Sequence, residues 1–183
     1  MIKALWMAAT ALATAAFAGP AHAGVDELRL GAQAHNFNDD ENKEQDGFNV
    51  NAEIVFDSPG ILQIIGSPRP YAMASVNTEG DTSWAGVGLY WRWEFADGWA
   101  LEPGLGYVIH DGEIDVPDAE PGRILFGSRD LFRDTLALER ELGDHFAMQL
   151  YFEHLSHGQI IGSGRNQGTE ELGVRGIWRF RPQ

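Results

Sequence analysis

Residues 152–158 contain two side chains that could act together in nucleophilic catalysis. His154 and Ser156 are two residues apart, so on a β-strand both point to the same face. A carboxylate would complete a set of nucleophile, general base and orienting acid, as in a serine hydrolase. Glu170 is the candidate, because the alternation of the next strand-like segment places it on one face with Leu172. Glu171 then falls on the opposite face.

The face that carries these three residues is predicted to point to lipid. On the predicted strand, His154 and Ser156 occupy the same alternate positions as three apolar residues, Met148, Leu150 and Phe152. An unpaired carboxylate on such a face is costly, whereas a hydrogen-bonded Glu–His–Ser chain is not. The alternative is that the three residues lie separately in the membrane interface, where polar side chains are common.

The segments that must position these residues alternate apolar and polar side chains, as strands do. Eight such segments follow one another, at residues 25–36, 48–56, 61–76, 85–95, 99–110, 125–142, 146–156 and 169–180, with a bend expected near Gly66. They are joined alternately by tight turns, at residues 57–60, 96–98 and 143–145, and by longer polar loops, at residues 37–47, 77–83, 111–122 and 157–168. Short periplasmic turns and long outer loops are typical of outer-membrane barrels. The predicted fold is therefore all-β, an eight-stranded antiparallel transmembrane β-barrel.

A soluble β-sandwich is the alternative fold, because its strands also alternate apolar and polar residues. Here, however, the polar parity combines many glycines with charges of both signs, such as Arg92 with Glu94 and Arg175 with Glu171. Small residues and ion pairs suit a narrow barrel lumen, and the aromatic residues of the other parity suit a lipid-facing girdle. The pattern favours the membrane barrel.

The beginning of the chain predicts export. Residues 1–23 contain Lys3, then an apolar, alanine-rich stretch, then Ala21-His22-Ala23, the small-x-small pattern of a signal-peptidase site. We expect a signal peptide at residues 1–23 and the barrel domain at residues 24–183. The chain has no cysteine, so no disulfide stabilises the exported domain. The formal charge of the whole chain, −14, argues against binding to nucleic acid.

Residues 152–173 resemble the lipid A 3-O-deacylase family (PagL-like acyloxyacyl hydrolases). The matching motifs are Glu153-His154-x-Ser156 and Asn166-x-Gly168-x-Glu170. The resemblance implies an outer-membrane serine esterase of a Gram-negative bacterium that removes the 3-position acyl chain from lipid A of lipopolysaccharide. It also implies a catalytic triad of Ser156, His154 and Glu170. Such an enzyme requires no metal or organic cofactor, and we expect a monomer in contact with outer-membrane lipid.

One position departs from the family pattern. Members commonly have Asn directly after the serine, where it is thought to contribute to the oxyanion hole, and this chain has His157. The candidate donors are therefore the His157 imidazole and the backbone N–H groups of His157 and Gly158.

Two other functions remain open at the level of sequence. One is a non-catalytic barrel that stabilises the membrane or binds a ligand, and the other is an acyltransferase acting on lipid A. His35 and His110 are predicted to face the lumen, and His145 to be solvated in a turn. Acidic residues crowd two outer loops, at Asp39, Asp40, Glu41, Glu44 and Asp46 and at Asp111, Glu113, Asp115, Asp118 and Glu120. These loops are either simply solvated or hold divalent cations against lipopolysaccharide phosphates.

Overall fold

A computed structural model describes residues 24–37, 44, 47–115, 121–162 and 164–181 of the protein. Within these residues there are nine β-segments: β1 (Val25–Ala34), β2 (Phe48–Phe56), β3 (Arg69–Asn77), β4 (Trp84–Tyr90), β5 (Trp93–Ala96), β6 (Trp99–His110), β7 (Asp130–Gly143), β8 (Phe146–Ser156) and β9 (Thr169–Arg179). A 3₁₀ helix, Gly60–Ile65, precedes β3. The predicted signal peptide, residues 1–23, lies outside the described residues. No helix in the described part of the chain is long and apolar enough to cross a membrane.

The sheet closes on itself as an eight-stranded antiparallel barrel. Neighbouring segments follow the order β4-β3-β2-β1-β9-β8-β7-β6-β5, and β4 also pairs with β6 to close the circle. Because β1 pairs antiparallel with β9, the start and the end of the barrel domain lie at one end. The β8–β9 connection lies at the other end. The predicted fold class and strand number are confirmed.

β4 and β5 form one strand of this barrel, and the break between them has a local cause. Tyr90 pairs with Gly104 and Trp93 with Leu101, so both segments hold the same register on β6. Between them, the Trp91 N–H donates to the Pro103 carbonyl at 3.0 Å. Proline has no N–H with which to return the bond, so the ladder is interrupted there without a change of direction.

Two predicted strands are longer than the observed ones. Residues 61–65 are helical and Gly66 has φ 90°, so β3 begins only at Arg69. Residues 61–65, Ile-Leu-Gln-Ile-Ile, lack the alternation of a strand. The predicted tight turn at residues 57–60 becomes a connection spanning residues 57–68. Residues 125–129 are also outside a strand, since Leu125 forms only an isolated bridge with Glu113 and β7 begins at Asp130.

The barrel interior is filled by paired charges and aromatic rings. Arg175 Nη1 lies 2.6 Å from Oε1 of Glu53, and Arg133 Nη2 lies 2.9 Å from the same oxygen, with all three side chains fully buried. The predicted pair of Arg92 with Glu94 is confirmed. The predicted pair of Arg175 with Glu171 is wrong, because Glu171 lies nearer the β8–β9 loop end of the barrel and contacts His35 instead.

Glycines on the lumen face make room for the interior rings. A Cβ on Gly106 would lie 2.1 Å from the Tyr71 hydroxyl, so no larger residue fits there without displacing the ring. Tyr71 in turn stacks on Tyr90, with ring centroids 4.1 Å apart. The interior is thus packed by side chains from facing walls, as expected for a barrel of this size. The outer face, by contrast, carries exposed apolar residues such as Leu150, Val174 and Trp178.

Candidate active site

His154, Ser156 and Glu170 all lie on the outer, lipid-facing wall of the barrel. On β8 the flanking residues Glu153 and Leu155 are fully buried in the lumen, whereas His154 and Ser156 are partly exposed. On β9, Glu170 is partly exposed and Glu171 is fully buried. The predicted strand parities are therefore confirmed at this site.

His154 and Glu170 are directly opposite each other in the antiparallel β8–β9 pair. Nδ1 of His154 lies 3.9 Å from Oε1 of Glu170, and the two side chains are 35% and 36% exposed. This distance exceeds a hydrogen bond, and a shift of about 1 Å by either flexible side chain would form one. Contacts between a catalytic base and its acid are commonly long before substrate binds.

Gly168 leaves the space that the imidazole of His154 occupies. A Cβ on Gly168 would lie 2.9 Å from Cε1 and 3.5 Å from Nε2 of His154. The ring therefore leans from its own strand toward the outer end of β9, with Nδ1 toward Glu170. In the register of these strands, the position opposite Ser156 is that of Gly168. Cε1 and Nε2 of the imidazole therefore lie over Gly168, on the Ser156 side of Glu170.

β7 adds a second carboxylate and an apolar ring to the same patch. Asp134 is the β7 partner of His154, and Phe132 is the partner of Ser156. Asp134 is exposed on the lipid side. Asp134 was not among the predicted site residues, although its alternation with Phe132, Leu136 and Leu138 on the lipid-facing side of β7 was the available signal. His154 thus has a carboxylate on each neighbouring strand, and its ring lies on the Glu170 side.

His157 is oriented away from this patch. Its side chain is fully buried, Nε2 donates to the Arg165 carbonyl at 2.8 Å, and Nδ1 accepts from the Gln159 N–H at 3.0 Å. The His157 N–H donates to Oδ1 of Asn166 at 3.1 Å. Both ring nitrogens and the backbone N–H are therefore engaged within the loop. This arrangement disagrees with His157 as the oxyanion donor, through either its imidazole or its N–H.

The loop that follows Ser156 is tied to the β6–β7 connection. Leu125 N–H donates to Oε1 of Gln167 at 2.9 Å, and Gln167 N–H donates to the Leu125 carbonyl at 3.2 Å. At Gly127, φ is 75° and an added Cβ would lie 1.8 Å from the Arg165 carbonyl oxygen. Two outer connections thus touch backbone to backbone, and together they fix the loop that begins at His157.

A buried ionic cluster occupies the lumen at this end of the barrel. His35 lies just beyond β1, with Nδ1 3.2 Å from Oε1 of Glu171 and Nε2 3.3 Å from Oε2 of Glu44. Burial opposes the charged imidazolium, but hydrogen bonds to Glu171 and Glu44 outweigh it and raise the pKa of His35 to about 9. His35 and His110 both face the interior, as predicted.

Two predictions of simple solvation are wrong. Glu44 is buried and accepts hydrogen bonds from the N–H groups of Thr82 and Ile124, both at 3.1 Å. His145 donates from Nδ1 to the Arg179 carbonyl at 2.9 Å and stacks on Trp178.

The possible cation sites in the acidic outer loops are only partly covered by the described residues. No group of three or more potential ligands comes together among the described residues. Several residues of the acidic loops lie outside the described residues, namely Asp39, Asp40, Glu41, Asp46, Asp118 and Glu120.

The family model described as lipid A 3-O-deacylase (PagL) matches residues 63–178, more than half of the chain. The chain belongs to this family. The matched region runs from the 3₁₀ helix into β9 and includes His154, Ser156 and Glu170. The fold agrees with a solved structure titled "Crystal structure of the outer membrane enzyme PagL", at a TM-score of 0.63 and 14% sequence identity, over 83% of this chain and 98% of that one. No individually curated protein matches the sequence. As a closed barrel of the lipid A 3-O-deacylase family, the protein is an outer-membrane protein.

Proposed function

We propose that the protein is a lipid A 3-O-deacylase that hydrolyses the 3-position ester with a Ser156–His154–Glu170 triad. The observation that supports it best is the pairing of His154 with Glu170 on the lipid-facing wall, next to the row of Ser156. A lumenal site would be closed to lipid by the packed interior, whereas this patch is open to it.

In the proposed reaction, Oγ of Ser156 attacks the carbonyl carbon of the ester while Nε2 of His154 takes the hydroxyl proton. The tetrahedral intermediate collapses, the ester C–O bond breaks, and His154 gives its proton to the departing sugar oxygen. A water molecule, deprotonated by His154, then attacks the acyl-enzyme and releases the fatty acid. Glu170 holds the Nδ1–H tautomer of His154 and stabilises the imidazolium formed in each half of the reaction.

The oxyanion donor that fits the loop best is the backbone N–H of Gly158. Gly158 has φ 59°, and the next residue, Gln159, has φ 55°, so the chain turns sharply directly after Ser156, with Gly158 beside the Phe132 ring of β7. Backbone N–H groups in such a turn are suitable donors to a developing oxyanion. His157 serves this site indirectly, because its side chain and N–H hold the turn in place.

The site's height in the membrane fits an ester near the outer surface. Ser156 ends β8 and Glu170 lies at the start of β9, at the barrel end opposite the termini. The apolar wall below, with Leu150, Phe152 and Leu172 exposed, provides a surface along which an acyl chain can lie. Lipid A can thus present its ester without leaving the membrane or entering the barrel.

Mass spectrometry of lipid A incubated with the purified, refolded protein tests this function. We expect loss of the 3-position acyl chain with the wild type, and a decrease of at least ~10³-fold in rate for Ser156→Ala. Ser67→Ala, the same change on an exposed serine at the opposite end of the barrel, should retain full activity. Unchanged lipid A would favour the non-catalytic barrel. A gained chain in the presence of phospholipid would favour the acyltransferase.

A further inference from the structure

The 3₁₀ helix Gly60–Ile65 exposes an apolar surface in the β2–β3 connection. Ile61 and Ile64 are 78% and 89% exposed, Ile65 is 49% exposed, and no residue of the helix is buried. Residues 58–68 contain no charged side chain. In water, so many exposed isoleucines on one short helix would be unfavourable, since the hydrophobic effect scales with the apolar area left in water.

The helix lies against the outside of the barrel. Nε1 of Trp91 donates to the Ile65 carbonyl at 2.8 Å, and a Cβ on Gly66 would lie 3.5 Å from the Trp91 ring. Trp91 has the lipid-facing parity, which it shares with the exposed Trp93 and Phe95. Arg92, by contrast, faces the lumen and pairs with Glu139. A helix held by Trp91 is therefore continuous with the lipid-facing wall.

The connection also lies at a defined level of the membrane. β2 runs away from the outer end and finishes at Phe56, so residues 57–68 lie at the same end of the barrel as the two termini. This is the periplasmic end, opposite the candidate active site. Trp93 and Phe95, exposed shortly after Trp91 in the chain, are the aromatic residues expected at a membrane–water interface.

We propose that Gly60–Ile65 is a membrane-inserted segment, whose isoleucines contact the acyl chains of phospholipids in the periplasmic leaflet. An uncharged segment with exposed isoleucines at the membrane interface is stabilised when those side chains leave water for acyl chains. The helix extends the lipid-facing surface sideways from the barrel at the inner leaflet, while the candidate active site lies at the outer leaflet. This assignment depends on the barrel's orientation and is independent of the proposed catalytic triad.

The absence of cysteine from the chain makes the test direct. A fluorophore is attached to Ile64→Cys in the full mature protein, folded into phosphatidylcholine vesicles, and its quenching is measured with lipids brominated at different depths and with aqueous iodide. Val174→Cys on the lipid-facing wall serves as the membrane control, and Asp97→Cys in the β5–β6 turn serves as the aqueous control. Since Ile64 is almost fully exposed, its replacement should leave the fold intact, which heat-modifiable migration checks.

We expect the Ile64 label to be quenched by bromines near the head groups and protected from iodide, as the Val174 label is protected. Ile61→Cys should behave in the same way. If both labels are as accessible to iodide as the Asp97 label and are not quenched by brominated lipid, the helix lies in water and the proposal is wrong. Because deacylation is not the readout, this result leaves the proposed function untouched.

Discussion

Glu170 and Glu171 are neighbours in sequence but lie on opposite sides of the barrel wall. The Glu170 side chain is 36% exposed and faces His154 across the β8–β9 pair. Glu171 is fully buried, with Oε1 3.2 Å from Nδ1 of His35. One carboxylate is thus available to a substrate in the membrane, while the other belongs to the interior. Changing each to glutamine separates the two roles without altering side-chain size.

Glu170→Gln should impair deacylation by at least ~10²-fold and leave the unfolding midpoint nearly unchanged. A neutral amide cannot stabilise the His154 imidazolium and does not favour the required tautomer. Initial rates on purified lipid A measure the first effect, and denaturant unfolding in detergent measures the second. Asp134→Asn, on the other side of His154, should cost less than Glu170→Gln; the reverse order would assign the orienting role to Asp134.

Glu171→Gln should instead reduce stability by on the order of 2 kcal/mol, because it removes a charged hydrogen-bond partner of buried His35. The triad is untouched, so activity of the folded variant should stay near that of the wild type. Unfolding midpoints and specific activities of the same preparations test both statements. A catalytic loss confined to Glu171→Gln would contradict the assignment of Glu170.

Gly168→Ala should lower kcat by about 10²-fold, because the added Cβ would lie 2.8 Å from the Leu155 carbonyl oxygen and 2.9 Å from Cε1 of His154, and would push the base out of position. Its matched control is Gly176→Ala, farther along the chain in β9, where an added Cβ meets nothing within 4 Å. Single-turnover rates compare the two, and heat-modifiable migration verifies folding. Equal activity of both variants would show that the position of the ring above Gly168 has no catalytic importance.

His157→Ala should loosen the β8–β9 loop and reduce activity as a consequence. The variant loses the bond from Nε2 to the Arg165 carbonyl, so trypsin should cleave after the exposed Arg165 faster than in the wild type. His157→Asn has a shorter side chain and should not restore this bond, even though asparagine is the residue common in the family. Restored activity in His157→Asn without restored protease resistance would instead support a side-chain oxyanion donor.

The stability of the outer end of the barrel should depend on pH through His35. Its pKa is raised to about 9 from an ordinary 6.5, so the charged form contributes stability that is complete below pH 6.5. That contribution is lost as pH rises through 9. The unfolding midpoint of the wild type should therefore fall between pH 7 and 10, and that of His35→Gln should fall less. Parallel curves for the two proteins would contradict a charged His35.

The sequence alone predicted which face each residue occupies wherever a strand alternates regularly. A period of two assigns every residue of β8 and β9 to a face, and this placed His154, Ser156 and Glu170 together on the lipid side. It failed at residues 61–65 and 125–129, where no alternation exists and helix or loop competes with strand. At the β4–β5 break opposite Pro103, alternation continues through the interruption, so the sequence correctly predicted a single strand there.

Contacts across the lumen were beyond the reach of sequence reasoning. Parity shows that Arg175 and Glu171 share a face, but partner choice depends on height in the barrel and on the strands opposite, so Arg175 pairs with Glu53 instead. The orientation of His157 was missed for a related reason. Its bonds to Arg165 and Asn166 depend on the path of a loop that has no periodic signal.

The buried charges have a consequence for the outer wall that they never touch. Slipping a barrel strand by one residue would turn every inward side chain outward, and would place groups such as Arg133, Arg175 and Glu53 in hydrocarbon. Each such exposure costs several kcal/mol. The buried charges therefore fix the strand register. This includes the register that places His154 opposite Glu170, although the charges lie on the other side of the barrel wall.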